Sequence, residues 1–487
     1  MRLCDCGCTP PSFSTNAPKS CMCCAPETLA AYARINADIS RREMLGGTIA
    51  TLGMFAGFGL TPSYAHGGAS RKALLLQNLR VFDGESLRLR EDVDILVEGD
   101  RISALVPRGD KIQDANNIDC GNRVVIPGLI DAHWHSTLAA VDQMTALTAD
   151  VGYVHLLAAR EAGATLRRGF TTIRDVGGPA FALKRAIDEN VVEGPRIFPS
   201  GAMLSQTSGH GDFRQLNEVP SAPGTLSYAE KTGIAAIADG ADMVLLRARE
   251  QLMKGASQLK IMAGGGVASP YDPLDAVQYT ERELRAAVEA ASDWGTYVCA
   301  HVYTSEGIKR SVRAGIKSIE HGQLADEETV KMMADAGVWW SLQPFLADDD
   351  ANKYPDVARQ NAQKRVAEGT VKAYEWGARY KVDIAFGTDI LMNPAGTVSQ
   401  GRQLAKITRF MSPLEALRMA TGRNGELLAL SGARSPYPAP LGVITPGAMA
   451  DLLVVDGDPA TDLAFLGDPE TNLRLILKGG QIVKQTL

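Results

Sequence analysis

The sequence predicts an α/β protein: a (β/α)8 TIM barrel with a small β-sandwich built from both ends of the mature chain. With 487 residues, the chain is long enough for one large domain and a smaller one. Its middle alternates short β-branched runs with amphipathic helical stretches. Both of its ends contain closely spaced short strands separated by Gly and Asp turns.

The two ends are predicted to form the β-sandwich from residues 73–125 together with 437–487. On the N-terminal side, "ALLLQNLRVFDG", "DVDILVEGDRISAL" and "NIDCGNRVVIPG" alternate apolar and polar residues between turns. The same pattern returns near the C-terminus in "LGVITPGAMADLLVVDGDP" and "LRLILKGGQIVKQ". The barrel is then an insertion between these two groups of strands.

Residues 126–436 are predicted to form the barrel. Its candidate strands end at eight motifs: "DAHWH", "TTIRDVGG", "RIFPSG", "QLKIMAGGG", "YVCAHVY", "SIEHG", "VWWSLQP" and "DIAFGTD". Amphipathic helices lie between several of them, including "TERELRAAVEAASDWG" and "LADEETVKMMADAG". Eight strand–helix units over about 300 residues fit the size of a (β/α)8 barrel.

Residues 1–65 are predicted to be a leader. Arg41 and Arg42 precede an apolar Gly- and Ala-rich stretch and the small-residue end "SYA", which resembles a bacterial twin-arginine export signal. We therefore expect the twin-arginine export machinery as a partner, cleavage after Ala65, and a periplasmic or extracellular protein. The alternative is an amphipathic helix of the mature fold. Six of the eight cysteines lie in the first 24 residues, spaced unlike zinc ribbons or fingers.

Two of the seven histidines, His133 and His135, stand one residue apart in "VVIPGLIDAHWHS". Residues i and i+2 of a strand point to the same face, so the two imidazoles aim together and Trp134 aims away. At the C-terminal end of a barrel strand that direction is the mouth, where active sites of this architecture lie. They either present nitrogens to one metal ion or are two independently hydrogen-bonded histidines.

Three further strands close on His301, His321 and Asp389, in "YVCAH", "SIEH" and "IAFGTD". Four nitrogens and a carboxylate oxygen suit zinc, with iron or manganese as alternatives. The competing interpretation is a pair of structural histidines and an aspartate that caps the next helix.

Lys260 in "SQLKIMAGGG" would point inward at the same mouth, where an unpaired ammonium is costly. Loss of its proton and reaction with carbon dioxide would give a carbamate, whose two oxygens can bridge two metal ions. The alternatives are a surface lysine with a snorkelling side chain and an ammonium that faces Asp389.

These motifs together resemble the amidohydrolase superfamily over residues 75–459, through "PGLIDAHWH", "QLKIMAGGGVASP", "AHVYTSEGIKRSVRAGIKSIEHG", "FGTD" and "PGAMADLLVVDGDP". "SQTSGHGD" and "KIMAGGGVASP" are similar to its prolidase-like dipeptidase and carboxypeptidase branch, which includes ochratoxinase-type amidases. Ser208 stands where that branch often has glycine. The resemblance implies two divalent metal ions per chain, zinc in the first instance. It assigns them six ligands: His133, His135 and Asp389 for one ion, His301 and His321 for the other, and Lys260 as a bridging N6-carboxylysine.

The resemblance also implies a mechanism in which a metal-bridging hydroxide attacks the amide carbonyl. Asp389 would act as the proton shuttle to the leaving amine. His210, in a Gly-rich loop, is expected to hydrogen-bond the oxyanion or the substrate, the alternative being a solvated loop histidine. Tyr303 is expected to bind a substrate carboxylate, the alternative being core packing. Tyr271 and Arg174 are further candidates for the site.

The favoured function is an exported hydrolase of dipeptides or N-acyl amino acids, bulky aromatic amides included. A mononuclear deaminase or imidazolone-type cyclic amide hydrolase is one alternative, although Lys260 argues against it. A non-catalytic binding protein on a retained barrel is the other, although all six ligands are present. A net charge of −6 without a basic run argues against nucleic acid as a partner. The outer helices are expected to support a homo-oligomer.

Overall fold

The computed structural model describes residues 72–222, 224–269, 271–352, 354 and 356–487. The predicted leader, with its twin arginines and six cysteines, lies outside the described residues. Within the described part, no helix has both the length and the apolar character that crossing a bilayer requires. The two cysteines of this part, Cys120 and Cys299, are buried free thiols.

Four strands open the described chain: β1 (Leu74–Val81), β2 (Val93–Glu98), β3 (Arg101–Pro107) and β4 (Asn116–Pro127). β1 pairs antiparallel with β2 and parallel with β4, and β2 and β3 form a hairpin. Apolar side chains from all four strands pack into one buried cluster. Buried and exposed positions alternate in the first half of β4, whereas β2 is buried at every residue except Glu98.

Ten short strands follow and form the wall of the large domain. They are β5 (Leu129–Trp134), β6 (Phe170–Asp175), β7 (Arg196–Pro199), β8 (Met203–Ser205), β9 (Ala235–Ile237), β10 (Leu259–Met262), β11 (Val298–Thr304), β12 (Ser318–Leu324), β13 (Trp339–Leu342) and β14 (Ile384–Phe386). β5, β6 and β7 form one parallel sheet, and the other seven form a second, in the order β14-β13-β12-β11-β10-β8-β9. The eight predicted barrel strands correspond to β5–β7 and β10–β14, whereas β8 and β9 are additional.

The two parallel sheets meet at two junctions, so the domain is TIM-barrel-like although its strand ladder is not continuous. At one junction Asp389 N donates to His133 O at 2.8 Å, which joins the end of β14 to β5. At the other, Ser257 N donates to Pro199 O at 2.8 Å, which joins β10 to β7. The carboxyl ends of the strands therefore meet at one mouth, as in other barrels of this type.

Among the described residues, twelve α-helices accompany these strands: α1 (Gln143–Thr148), α2 (Val151–Arg167), α3 (Phe181–Asp188), α4 (Tyr228–Thr232), α5 (Ala241–Met253), α6 (Glu281–Asp293), α7 (Ser305–Ala314), α8 (Glu327–Asp335), α9 (Val357–Tyr380), α10 (Gln400–Lys406), α11 (Pro413–Arg418) and α12 (Asn424–Ala429). The two amphipathic helices predicted from the sequence are α6, which precedes β11, and α8, which follows β12. Thr280 and Glu283 form a capping box at the start of α6, and Asp326 caps α8. These side chains satisfy first-turn N–H groups, which explains where both helices begin.

The chain returns to the first sheet through β15 (Leu452–Val455), α13 (Pro469–Asn472), β16 (Leu473–Lys478) and β17 (Gln481–Gln485). The completed sheet has seven strands, in the order β17-β16-β15-β4-β1-β2-β3. β15 pairs antiparallel with β4, so strands from both ends of the described chain share this sheet. All seven belong to one sheet, and the two-layered sandwich stays a prediction.

Alternation along the barrel strands separates the apolar core from the groups that face the mouth. On β11, Val298, Ala300 and Val302 join the apolar cluster that packs against the helices. The intervening His301 and Tyr303 face the central cavity. Parallel strands covered on both faces are buried throughout, which accounts for the nearly unbroken burial of β10 to β14.

Candidate active site

A cavity of about 600 Å³ opens at the carboxyl ends of the barrel strands. Eight of the predicted site residues line it: His133, His135, His210, Lys260, His301, Tyr303, His321 and Asp389. Tyr271, predicted to bind substrate, is not among the lining residues and is 38% exposed. Its loop turns the next residue, Asp272, inward instead, at 4% exposure.

His133, His135 and Asp389 form the tightest group of metal-ligating atoms. Nε2 of His133 and Nε2 of His135 lie 3.2 and 3.3 Å from Asp389 Oδ1. The other ring nitrogens are occupied, because Nδ1 of His133 meets Glu320 Oε2 at 2.7 Å and Nδ1 of His135 meets Gly177 O at 2.8 Å. The Nε2 atoms of both rings therefore point towards the same carboxylate oxygen, an arrangement that suits a bound cation.

His301 and His321 lie beside this group, with ring centroids 4.5 Å apart. Nε2 of His301 bonds Gly265 O at 3.2 Å, and Nδ1 of His321 bonds Gln343 Oε1 at 2.8 Å. Burial, reinforced by neighbouring imidazoles and Lys260, lowers the pKa of both histidines well below its usual range. Each ring is thus neutral and has one nitrogen left as a ligand.

Lys260 is buried among these residues at 1% exposure. Its Nζ has neither a hydrogen bond nor an ion pair with any other described residue. Burial lowers the pKa of Lys260 against the opposing influence of Glu320 and Asp389. An amine that is buried, unpaired and easier to deprotonate fits the predicted carbamate, as the imidazoles fit divalent metal.

Asp389 carries its carboxylate at the centre of the ligand group. Burial disfavours its ionised form, but His133, His135 and His321 outweigh burial and hold the pKa of Asp389 well below its ordinary value. Its backbone φ of 53° lies in the left-handed region, which few residues other than glycine adopt. This turn after β14 brings the carboxylate over the mouth of the barrel.

A buried ion pair lies beneath the imidazoles. Both side chains of the pair, Arg174 and Glu320, are 0% exposed. Nη2 of Arg174 donates to the two oxygens of Glu320 at 2.7 and 2.8 Å, and Ser318 Oγ donates to Oε1 at 2.6 Å. Burial alone would raise the pKa of Glu320, but Arg174 and the bond from His133 hold it well below its usual value. Glu320 therefore supports His133 as an anionic acceptor.

Glu320 and His321 are consecutive, yet both reach the interior. Strand alternation would send them to opposite faces. His321 has a φ of 72°, and the pairing of β11 with β12 is irregular at this point. The turn lets His321 stack on Tyr303, with ring centroids 5.0 Å apart, while Glu320 bonds Arg174. Strained backbone of this kind is common at functional sites.

His210 enters the cavity from the loop between β8 and β9. Its ring stacks on His301 with centroids 4.0 Å apart, and its Nδ1 meets Asp272 Oδ2 at 2.8 Å. Tyr303 stands on the other side of His301, with ring centroids 5.4 Å apart. Arg174, in contrast, bonds Glu320 below the ligands and does not line the cavity.

The outer part of the cavity combines charged and apolar groups. Lys406 is neutralised by Asp348 and Asp350, at 2.8 and 2.7 Å. Arg359, on the first turn of α9, meets Asp356 through Nε at 3.3 Å, and its guanidinium lies over the ring of Tyr354, 5.9 Å from the centroid. Its two terminal nitrogens have no hydrogen-bond or ion-pair partner among the described residues. The apolar lining includes Met203, Phe213, Met262, Val267, Phe345, Leu346, Val366, Ile390, Leu391 and Met392.

Sequence reasoning misses three acidic residues that hold the site. Glu320 supports His133, Asp272 supports His210, and Asp131 accepts from the N–H groups of His133 and Thr388 at 3.1 Å each. A signal exists for Asp131, which stands two residues before His133 and therefore shares its strand face. Glu320 stands two residues after Ser318, which donates to it, so it also follows strand alternation, whereas Asp272 lies in an irregular loop without a periodic pattern.

Comparison with known proteins places these features in one family. The Amidohydrolase family profile matches residues 124–483. Ochratoxinase of Aspergillus niger is 32% identical over 375 residues, covering 74% of this chain and 76% of the relative. A solved prolidase complexed with N-methylphosphonate-L-proline is 35% identical, with a TM-score of 0.78 over 85% of this chain and all (100%) of that chain. A solved Xaa-Pro dipeptidase with bound methionine is 28% identical, with a TM-score of 0.71 over 84% of this chain and 99% of that one.

The match covers the whole barrel and every residue of the candidate site. The His-His-Asp group, whose ligand atoms all lie within 4.8 Å of one another, is of the kind that holds metal in metal-dependent hydrolases. From the profile, the relatives and this donor set, the chain belongs to the amidohydrolase family, in its prolidase and ochratoxinase branch, and is a hydrolase of C–N bonds.

Proposed function

We propose that the protein is a binuclear metal-dependent hydrolase of dipeptides or N-acyl amino acids, bulky aromatic amides included. The observation that carries this proposal is the convergence of all six predicted ligands on one cavity of about 600 Å³. Four imidazole nitrogens, one carboxylate and one unpaired buried amine form a donor set that suits two divalent ions. The prolidase and ochratoxinase relatives support amide and peptide bonds as the target.

His133, His135 and Asp389 would hold one ion, His301 and His321 the other, and Lys260 as carbamate would be shared. When bound, the ions would supply Lewis acidity, which lowers the pKa of water and polarises an amide carbonyl. Asp389 accepts the proton of the attacking water, because its carboxylate lies at the centre of the ligand group. It then delivers that proton to the nitrogen of the departing amine.

The cavity's outer charges support a substrate with a free carboxylate. Lys406 is already neutralised, whereas two guanidinium nitrogens of Arg359 have no hydrogen-bond or ion-pair partner among the described residues. Arg359 shares a helix face with Val366, which packs in one cluster with Tyr303. A carboxylate held by Arg359 and the Tyr303 hydroxyl would orient the amino-acid half of an amide, while the apolar lining receives bulky side chains.

A substrate panel with metal counting tests the proposal. We expect about two zinc ions per chain and hydrolysis of dipeptides or N-acyl amino acids, detected by mass spectrometry. One ion per chain with turnover of a cyclic amide or an amino-substituted ring would favour the mononuclear alternative. Two bound ions without cleavage of any amide in the panel would favour a binding protein.

Asp389→Asn tests the assigned proton transfer. The amide keeps an oxygen for metal but cannot carry the proton, so we expect most of the metal to remain while kcat falls about 100-fold or more. Metal analysis by mass spectrometry gives the first quantity and steady-state kinetics the second. A near-normal kcat in this variant would remove Asp389 from the mechanism.

The carbamate has its own test. Metal-free protein reconstituted with zinc should regain activity faster with bicarbonate than in carbon-dioxide-free buffer, because Lys260 must first acquire the carboxyl group. Lys260→Met should abolish this dependence and lower the bound zinc towards one ion per chain. Equal reconstitution in both buffers would argue against the carbamate.

We also propose export by the twin-arginine route, on the motif at Arg41 and Arg42. Residues 1–65 fused to a reporter should carry it to the periplasm of a bacterium that has this machinery. Replacement of both arginines by lysine should keep the reporter in the cytoplasm. Unchanged export of that variant would contradict the assignment.

A further inference from the structure

His210 is held in the cavity on three sides. Its Nδ1 meets Asp272 Oδ2 at 2.8 Å, and its ring lies parallel to that of His301, with an interplanar angle of 13°. On the third side Gly266 approaches so closely that an added Cβ would lie 2.0 Å from His210 Cε1. His210 Nε2 has no hydrogen-bond partner among the described residues.

The carboxylate that holds Nδ1 is itself fixed by the loop between β10 and α6. Asp272 Oδ2 accepts from Gly266 N at 2.9 Å and from Gln278 Nε2 at 3.4 Å. Gln278 Oε1 in turn accepts from His210 N at 2.9 Å. The same loop supplies Gly265 O, which bonds the candidate ligand His301 at 3.2 Å. One loop therefore positions both stacked imidazoles.

We propose that Asp272 is a positioning residue for His210, an assignment that rests on the proposed amide hydrolysis. By binding the Nδ1 proton, Asp272 sets the ring orientation and leaves Nε2 as the nitrogen that faces substrate in the cavity. Gly266 also helps to fix the orientation of His210, because any side chain at this position would displace the ring. Asp272 acts only through His210 and does not itself line the cavity.

The contacts of the carboxylate distinguish this role from simple loop packing. Asp272 is 4% exposed, and its second oxygen, Oδ1, is buried without a hydrogen-bond partner in the described part of the chain. A carboxylate that served only to shape the loop would be expected to use both oxygens, since unsatisfied buried acceptors are costly. Here every bond is on the oxygen that meets His210.

Asp272→Asn tests the proposal in the zinc-loaded full-length enzyme. The amide can present its NH2 group to Nδ1, which favours the opposite tautomer. We expect kcat to fall about 10- to 100-fold, as for a catalytic group displaced by a fraction of an ångström, with zinc content unchanged. Asp275→Asn is the matched control, because Asp275 lies exposed in the same loop, and it should retain wild-type kcat.

A spectroscopic readout separates positioning from structure. With ¹⁵N-labelled histidine, and His210 assigned through His210→Gln, the wild type should show His210 protonated on Nδ1. Asp272→Asn should move the proton to Nε2. Gly266→Ala should lower kcat to a similar extent while Asp272 stays intact. If Asp272→Asn does not fold, Gly266→Ala still tests whether the orientation of His210 determines kcat.

Two results would overturn the assignment: wild-type kcat in both Asp272→Asn and Gly266→Ala, or an unchanged His210 ¹⁵N signature in Asp272→Asn. Failure of the proposed function gives a different result. In that case the wild type would cleave no amide, while the ¹⁵N signature would still report whether Asp272 sets the tautomer.

Discussion

Glu320→Gln perturbs the buried charges beneath the candidate ligands. The wild-type carboxylate accepts two bonds from Arg174, one from Ser318 and one from His133, all between 2.6 and 2.8 Å. Glutamine has nearly the same shape, but it is neutral and offers one acceptor atom in place of two. Arg174, which is 0% exposed, would lose its only carboxylate partner among the described residues.

The magnitude follows from that uncompensated charge. Removing one partner of a fully buried ion pair costs about 3–5 kcal/mol, because the remaining ion stays desolvated. Arg174 keeps bonds to Ala132 O at 2.5 Å and to Tyr297 Oη at 3.2 Å, which neutral groups supply without charge compensation. We therefore expect Glu320→Gln to lower the free energy of unfolding by about 3–5 kcal/mol, a large fraction of a typical protein's stability.

The assay is urea unfolding followed by the fluorescence of the buried tryptophans, with chelator present so that metal binding does not add to stability. Glu328→Gln is the matched control, since Glu328 also forms an ion pair, with Lys309 at 2.8 Å, but its side chain is 83% exposed. The control should leave the midpoint unchanged. A Glu320→Gln midpoint equal to that of the wild type, with the same slope, would refute the reasoning.

Three further predictions concern substrate binding and burial. Arg359→Gln should raise KM for N-acyl amino acids about 10- to 100-fold, which corresponds to the free energy of a charged hydrogen bond, and should leave KM for the corresponding carboxamides unchanged. Arg365→Gln, exposed on the same helix, is the control, and an equal rise in KM for both substrate types would contradict the assignment. Tyr303→Phe should likewise raise KM for the free acids by about tenfold in steady-state kinetics, and an unchanged KM would leave Tyr303 as a packing residue. Burial raises the pKa of Cys120 to about 12, so its thiol should resist iodoacetamide at pH 8 in the folded protein and react in urea. Peptide mass spectrometry would map the labelled site, and rapid labelling of Cys120 in native buffer would contradict its burial.

Much of the site follows from two periodic rules. Strand alternation puts His133 and His135 on one face, and parallel strands in a ring bring their carboxyl ends to one mouth. His301, Lys260 and Asp389 obey the same rules, because each stands at or near the end of an apolar run. For this reason the sequence alone predicts that they line a common cavity, as they do.

The features that the sequence does not predict lie where the backbone departs from regular strand geometry. The turn at His321, whose φ is 72°, brings that ring to the interior beside Glu320, and no local sequence pattern predicts it. Asp272 rather than Tyr271 faces inward because of the path of an irregular loop, which has no period from which to infer direction. The barrel strands are recognisable as apolar runs, but the interruptions of the ladder at two junctions depend on tertiary geometry.

Three glycines of the site let main chain approach the histidines closely. A Cβ at Gly387 would lie 2.4 Å from His133 Cβ, and one at Gly266 would lie 2.0 Å from His210 Cε1. Gly177, whose carbonyl bonds His135 Nδ1, would place its Cβ 3.3 Å from His135 Cε1. The rings of His210 and His135, and the Cβ and main chain of His133, thus each lie against main chain from a different loop. The orientation of His133 and His135 therefore depends on loop backbone as well as on Glu320, so substitutions at Gly387 and Gly177 should alter metal geometry even though neither residue can bind metal.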